Sequence, residues 1–271
     1  MACQIIFLLI LSGLTGLESI STVSKVSVKT GGSISIPCPY GEQDRDNVKY
    51  LCKGYYWNHC SYAVKTNWQN TQKYSISDDR KERIFTVTIR DLREDGYYWC
   101  AVERNGQRDI GGYFHLSVTK GTPSLYMDHQ EFRASKGGNI TFMCYHGSSG
   151  ENQWCRLGGS CVTKSSGSIE GTEVTLIAGS TNFFTVTMSG LKTESSGWYL
   201  CVRGDLQMPV HLNVTEQHTT NTVTPTGSSD QHSASEEKII IPLSVLIVLV
   251  IVTLFSLLLF KIYSKCELNF D

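Results

Sequence analysis

The chain has 271 residues, enough for one large domain or two small ones. Its 24 Lys and Arg residues nearly balance 25 Asp and Glu residues, and the net charge of −1 argues against a nucleic-acid-binding protein. With 41% hydrophobic and 10% aromatic residues, the chain is not disordered throughout. Ten cysteines are many for a cytosolic protein and are typical of a secreted or extracellular one.

Two apolar runs, one near each end, predict the compartment. The run at residues 5–14 is too short to cross a bilayer and is typical of a signal peptide, which we place at residues 1–21. The 22 uncharged residues at 239–260 would reach about 33 Å as a helix and predict a single transmembrane helix. Basic residues follow it, which favours a short cytoplasmic tail, residues 261–271. We therefore expect a single-pass type I protein of the plasma membrane with an extracellular N-terminus.

The segment before the predicted span differs from the rest of the chain. Residues 216–238 contain nine Ser or Thr and almost nothing apolar, so they cannot bury a core. Such a composition is typical of a stalk.

The region between signal peptide and stalk repeats itself. The similar pairs include GGSISIPCPY and GGNITFMCYH, FTVTIRDL and FTVTMSGL, and GYYWCAV and GWYLCVR, and they occur in the same order. Two copies, residues 22–119 and 120–215, describe this pattern. Apolar and polar residues alternate over short stretches of each copy, which predicts half-buried strands and an all-β sandwich in each.

Cysteine spacing refines the fold. Each copy has four cysteines, and pairing confined to one copy leaves three possibilities for each. The long separations are typical of the bridge between the sheets of an immunoglobulin sandwich, and the remaining pairs would close a hairpin. The predicted bridges are Cys38–Cys100, Cys52–Cys60, Cys144–Cys201 and Cys155–Cys161. Metal binding is disfavoured because the close cysteine pairs lack the C-x-x-C spacing of zinc sites.

A tyrosine, Tyr98 or Tyr199, lies two residues before the last cysteine of each copy, as in the tyrosine corner of immunoglobulin domains. The two four-cysteine copies, with KYLCKGYYWNHC at residues 49–60 and QWCRLGGSC at 153–161, resemble the polymeric immunoglobulin receptor and the CMRF-like leukocyte receptors. The resemblance implies two tandem V-type immunoglobulin domains and a single transmembrane helix. One departure is Leu51, which replaces the tryptophan usual before the strand-C cysteine.

The resemblance also implies where a ligand binds, because loops of the first domain contact immunoglobulin or phospholipid headgroups in this family. Three loops of the first copy are rich in Tyr, Trp and Arg, the residue types favoured at binding hot spots. The candidate ligand-binding residues are Arg45, Lys49, Tyr55, Tyr56, Trp57, Arg104, Arg108 and Ile110. The histidines form neither a metal motif nor a catalytic arrangement, so we expect a protein that is not an enzyme and has no cofactor and no metal.

The first domain should be free of N-linked glycans, because the two N-x-[ST] sequons, at Asn139 and Asn213, lie in the second copy.

The predicted tail has one tyrosine, Tyr263, which fits no paired-tyrosine signalling motif. Signalling would therefore depend on partners, including a possible co-receptor in the membrane. We expect an immune cell-surface receptor. A transport receptor for polymeric immunoglobulin and an adhesion protein are the alternatives.

Overall fold

The computed structural model describes residues 20–179 and 182–216 of the protein. Most of the predicted signal peptide and stalk, and all of the predicted span and tail, lie outside these residues. Within the two described ranges, no helix is long and apolar enough to cross a membrane.

The first domain consists of two sheets. One has the strand order β1-β8-β7-β3-β4 and the other the order β2-β6-β5. All pairings are antiparallel except that of β1 with β8, which is parallel, so the prediction of an all-β fold is confirmed. The strands are β1 (Lys25–Lys29), β2 (Ile34–Pro39), β3 (Lys49–Lys53), β4 (Ser61–Lys65), β5 (Tyr74–Asp79), β6 (Ile84–Ile89), β7 (Gly96–Val102) and β8 (Ile110–Thr119).

The second domain repeats this arrangement with a larger second sheet. Its sheets have the orders β10-β18-β17-β12-β13 and β14-β15-β16-β11-β9, and β10 pairs with β18 in parallel. The strands are β9 (Leu125–Tyr126), β10 (Glu131–Ser135), β11 (Ile140–His146), β12 (Asn152–Arg156), β13 (Cys161–Val162), β14 (Ser166–Ile169), β15 (Thr172–Ala178), β16 (Phe183–Ser189), β17 (Gly197–Arg203) and β18 (Leu206–Thr215).

Disulfides cross each core and close each hairpin. The structure contains the bonds Cys38–Cys100, Cys52–Cys60, Cys144–Cys201 and Cys155–Cys161. Fully buried Trp154 stacks on Phe142 in the second domain, with ring centroids 4.6 Å apart. Leu51 is fully buried in the first domain, opposite Cys100 in the register of β3 and β7. The smaller side chain is therefore accommodated within the core.

Both tyrosine-corner residues are buried. The Tyr199 hydroxyl donates to the carbonyl oxygen of Ser195 over 2.8 Å, as expected. For Tyr98, burial, with the neighbouring Tyr74 of the facing sheet adding to it, raises the pKa of the phenol above its ordinary value.

The two domains are joined by side chains as well as by the chain itself. The Gln130 side chain accepts from the Ser35 amide at 2.8 Å and donates to the Ser35 and Pro209 carbonyl oxygens, both at 2.9 Å. Lys25 and Asp205 form an exposed ion pair at 2.9 Å. Gln130 thus holds main-chain groups of both domains in one hydrogen-bonded set.

Candidate functional site

The outer surface of the five-stranded sheet of the first domain carries most of its exposed aromatic rings. Tyr98 and Cys100 point into the core, so alternation along β7 turns Tyr97 and Trp99 outward. We call this surface, with the loop that joins β3 to β4, the front face. Its side chains form a cleft and a tyrosine cluster, and Trp99 connects the two, with its ring 5.1 Å from Trp57 and 5.0 Å from Tyr113. The tyrosine cluster consists of Tyr55, Tyr56, Tyr97 and Tyr113.

The cleft lies between the β3–β4 loop and the β7–β8 loop and has a volume of about 420 Å³. Its lining residues are Tyr50, Trp57, Asn58, Cys60, Tyr62, Arg108 and Asp109. The size is within the range of small-molecule sites. The lining is mixed, because three aromatic rings stand beside the polar side chains of Asn58, Arg108 and Asp109.

Tyr50 is almost fully buried at this site and fixes the adjacent loop. Its hydroxyl donates to Asp109 Oδ2 over 2.8 Å, and the other oxygen of Asp109 accepts from the Arg104 amide at 3.1 Å. Burial, with the Asp109 hydrogen bond adding to it, raises the pKa of Tyr50 far above its ordinary value, so the phenol stays a donor. The two bonds to Asp109 hold the base of the β7–β8 loop against the sheet.

Trp57 forms a wall of the cleft because its neighbour on the sheet has no side chain. A Cβ atom on Gly111 would overlap the Trp57 ring. The indole also meets Trp99 edge to face, with centroids 5.1 Å apart. The disulfide between Cys52 and Cys60 ties the ends of the Trp57 loop together, so the ring is held in place before any ligand arrives.

Arg108 is the exposed charged group of the cleft. Both oxygens of Asp109, the other charged lining residue, accept hydrogen bonds from the chain itself. Lys65, beside the cleft, is mostly buried over the Tyr62 ring and paired with Glu103 at 2.9 Å. An exposed guanidinium in a cleft that aromatic rings also line suits an anionic or polar ligand group.

Two of the predicted contact residues have structural roles instead. Lys49 is fully buried, because β3 begins at this residue and alternation turns it inward with Leu51. Its ammonium donates to the Arg45 carbonyl oxygen at 2.6 Å and pairs with Asp78 at 3.1 Å. Lys49 therefore cannot meet a ligand in this conformation.

Arg104 is the second predicted contact residue with a structural role. Its guanidinium donates through two nitrogens to the two carboxylate oxygens of Asp44, each over 2.7 Å, and Asp44 is only 1% exposed. This pair joins the β2–β3 loop to the β7–β8 loop. Ile110 is half-buried and packs against the core at the start of β8.

Of the remaining candidates, Trp57 is half-buried and the other four are exposed. Arg45 pairs with Glu42 at 3.2 Å, whereas Tyr55 and Tyr56 belong to the tyrosine cluster rather than to the cleft lining. Of the eight candidates, the structure brings Trp57 and Arg108 to the cleft.

Sequence reasoning missed Tyr50, Asn58, Tyr62 and Asp109, which complete the cleft lining. Alternation in β3 would have turned Tyr50 outward once Leu51 was placed in the core.

The two sequon asparagines are both exposed. Asn139 precedes β11, and its side-chain oxygen accepts from the Gly190 amide at 3.1 Å. Asn213 lies on β18 of the second domain. Among the described residues, no group of three His, Cys, Asp or Glu side chains could hold a metal ion.

The fold and the cysteine framework define a protein of the immunoglobulin superfamily, and residues 22–119 match the family model "Immunoglobulin V-set domain". The chain is 34% identical over 136 residues to human CMRF35-like molecule 5, covering 48% of this chain and 70% of that protein. It is 28% identical over 196 residues to the mouse polymeric immunoglobulin receptor, covering 66% of this chain and 25% of the receptor. The chain belongs to the family of CMRF35-like molecules and the polymeric immunoglobulin receptor, as its sequence indicated.

A solved structure, the ectodomain of the teleost fish polymeric immunoglobulin receptor, is 31% identical and covers 73% of this chain and 98% of that one, with a TM-score of 0.36. The chain spans about half the length of human CMRF35-like molecule 7 and a quarter of the mouse receptor.

Proposed function

We propose that this protein is a cell-surface immune receptor that binds its ligand in the cleft of the first domain. The observation that carries the proposal is the cleft of about 420 Å³, which Trp57 and the exposed Arg108 line together. Aromatic and Arg side chains are the usual anchors of binding sites. The Cys52–Cys60 bond and the Asp109 hydrogen bonds order both loops in advance, which lowers the entropic cost of binding.

The proposed ligand carries an anionic or polar group, which Arg108 would receive. Polymeric immunoglobulin, which the name of the mouse relative gives as its ligand, and a phospholipid headgroup, which the resemblance of the sequence implies, both fit this description. The transmembrane helix predicted from the sequence at residues 239–260 would anchor the receptor in the plasma membrane, and signalling would pass through a membrane partner. A transport receptor or an adhesion protein would use the same first domain.

The test is binding to cells that display the full chain. Polymeric immunoglobulin and vesicles of phosphatidylserine or phosphatidylcholine serve as probes. We expect Arg108→Ala to weaken binding of one probe about tenfold, the usual effect of losing one charge-assisted hydrogen bond. Arg93→Ala is the matched control, because Arg93 is an exposed arginine of the same domain that does not line the cleft.

Each outcome bears on the proposal. Loss of immunoglobulin binding in Arg108→Ala alone supports a protein ligand, and loss of phosphatidylserine binding supports a lipid headgroup. Equal binding by both variants, or binding of neither probe, contradicts the cleft as the site for these ligands.

A further inference from the structure

The β7–β8 loop contains an asparagine followed directly by a glycine. Asn105 and Gly106 form the one Asn-Gly pair among the 271 residues of the sequence. This pair is chemically special, because glycine has no Cβ atom and leaves its main-chain nitrogen open to the side chain before it. Arg108, the exposed arginine that lines the cleft, follows three residues after Asn105. The loop therefore carries a reactive amide next to the proposed ligand site.

The structure leaves this amide accessible. Asn105 and Gly106 are both exposed, and Gly106 adopts the left-handed conformation, with a φ of 72°. They form the middle of a turn in which the Gln107 amide donates to the Arg104 carbonyl oxygen over 3.3 Å. Within residues 20–179 and 182–216, no group accepts from the Gly106 amide, and a Cβ atom on Gly106 would meet nothing within 4 Å. The Gly106 nitrogen can therefore move toward the Asn105 side chain.

Two other exposed asparagines of the first domain lack one of these conditions. Asn67 precedes Trp68, whose side chain obstructs the same approach. The Asn70 side chain accepts from the Ile76 amide at 2.9 Å, which fixes its direction. The Asn105 side chain makes no such bond to any described residue. The neighbouring residue and the lack of a fixed partner therefore both single out Asn105.

We propose that Asn105 is a deamidation site, and that its product carboxylate weakens the binding of an anionic ligand at the cleft. The Gly106 nitrogen attacks Cγ of Asn105 and forms a new C–N bond, which closes a succinimide ring. The bond from Cγ to Nδ2 breaks, and Nδ2 leaves as ammonia with the proton of the Gly106 amide. Water then adds to one of the two ring carbonyls and gives aspartate or isoaspartate. Water is the co-reactant, and nothing is oxidised or reduced.

Both ends of the loop are anchored, so the change should stay local. Before Asn105, the Arg104 guanidinium donates to the buried carboxylate of Asp44. After it, Asp109 accepts from the Tyr50 hydroxyl and from the Arg104 amide. The new carboxylate, and in isoaspartate the lengthened main chain, therefore appear at the tip of the loop between these anchors. The packing of the two sheets should be unchanged.

The new carboxylate would act on the field around Arg108. Three residues of fully extended chain span at most about 11 Å, a distance comparable with the Debye length in about 0.1 M salt. Coulomb's law then gives a loss of about two- to tenfold in the affinity for a singly charged anion, depending on the local dielectric constant. This effect rests on the proposed function, whereas the modification itself does not. Because the product accumulates with time, older copies of the chain would bind the ligand less tightly.

Peptide mapping of the full chain tests the modification. The purified chain in detergent is incubated at body temperature in heavy-oxygen water, and digestion follows in ordinary water. Only conversion during the incubation then carries the heavy isotope, and mass spectrometry quantifies it. We expect Asn105 to convert at least several-fold faster than Asn67, the control within the same domain. Conversion of Asn105 no faster than that of Asn67 overturns the proposal.

Binding to cells that display the full chain tests the effect on the cleft. Phosphatidylserine vesicles and polymeric immunoglobulin are the probes. Asn105→Asp introduces the charge directly, and Asn105→Gln keeps an amide. Ser77→Asp is the matched control, because it adds the same charge at an exposed residue of β5 in the other sheet of the domain. We expect Asn105→Asp to weaken binding of the probe that depends on Arg108 by about two- to tenfold. The other two variants should match the wild-type chain.

Surface staining reports whether each variant folds and reaches the membrane. Wild-type binding by Asn105→Asp, or an equal loss in Ser77→Asp, overturns the effect on the cleft. Binding of neither probe by the wild-type chain contradicts the proposed ligand site, and with it the effect on binding. Peptide mapping still decides in that case whether Asn105 is modified, so the two proposals fail separately.

Discussion

Lys49 and Asp78 form a buried ion pair that provides a sharp test. Removing the charge of Asp78 should cost much more stability than removing the charge of Lys49. The Lys49 ammonium is fully buried, with Asp78 at 3.1 Å and the Tyr40 ring centroid at 4.2 Å. In Asp78→Asn that ammonium keeps the Arg45 carbonyl oxygen and the Tyr40 ring as neighbours. Neither carries a negative charge, so the ammonium is not neutralised. Removing one member of a buried pair typically costs about 3–5 kcal/mol.

The reverse change is milder. In Lys49→Met the carboxylate of Asp78 still accepts from the Tyr40 hydroxyl at 2.8 Å, and Arg80 lies 3.9 Å away. Methionine also fills a similar volume, so we expect a loss of about 1–2 kcal/mol. The difference between the variants is therefore about 2 kcal/mol, or roughly 1 M in the urea midpoint of a small domain.

The assay is urea unfolding of residues 22–215, followed by tryptophan fluorescence, with the exposed Lys81→Met as control. Equal midpoints for the two variants, or a greater loss in Lys49→Met, would refute the account of the pair. A second measurement uses pH. Burial lowers the pKa of Lys49 below its usual 10.5, so the unfolded chain holds the proton more tightly. Stability should rise with pH through the window just below 10.5, and Lys49→Met should lack this rise.

Further predictions concern both domains. Gly111→Ala should displace Trp57, seen as a red shift of fluorescence and weaker ligand binding. Tyr199→Phe leaves a buried carbonyl oxygen without its donor and should cost about 1–2 kcal/mol in urea unfolding. Gln130→Ala should split a single thermal transition into two, measured by calorimetry. Burial, and secondarily the nearby Arg203, lowers the pKa of His146. The stability of the wild-type protein should therefore fall as the pH drops through about 6.5, because the unfolded chain then binds the proton more tightly. His146→Gln should lessen that loss, measured by thermal unfolding at pH 7.5 and pH 5.

The core of the fold follows from short-range patterns. Alternation placed Ile34, Ile36 and Cys38 on one face, and these residues are buried. Long cysteine separations predicted bridges between sheets, and the Cα atoms of Cys38 and Cys100 lie 6.1 Å apart in the structure. Both patterns work because one face of each strand must meet the core, whatever the loops do.

The site was less predictable because it depends on contacts between distant segments. Lys49 was assigned to a loop, and nothing local shows that Asp78, on another strand, neutralises it. Lys53 likewise pairs with Glu94, 41 residues further along the chain, and that hydrogen bond lowers the pKa of Glu94. Residue type led to two residues that line one cleft, Trp57 and Arg108, whereas the partners of the other side chains were set by the packing of the sheets.

The Gln130 side chain has a practical consequence for work on the first domain alone. Ser35 lies on β2, which forms one edge of the three-stranded sheet. Gln130 occupies both main-chain groups of Ser35 on that open side, as a neighbouring strand would. A truncated first domain would expose this edge and offer it to other molecules for strand addition and aggregation. Recombinant versions that end before Gln130 should therefore carry a charged residue at this edge to remain monomeric.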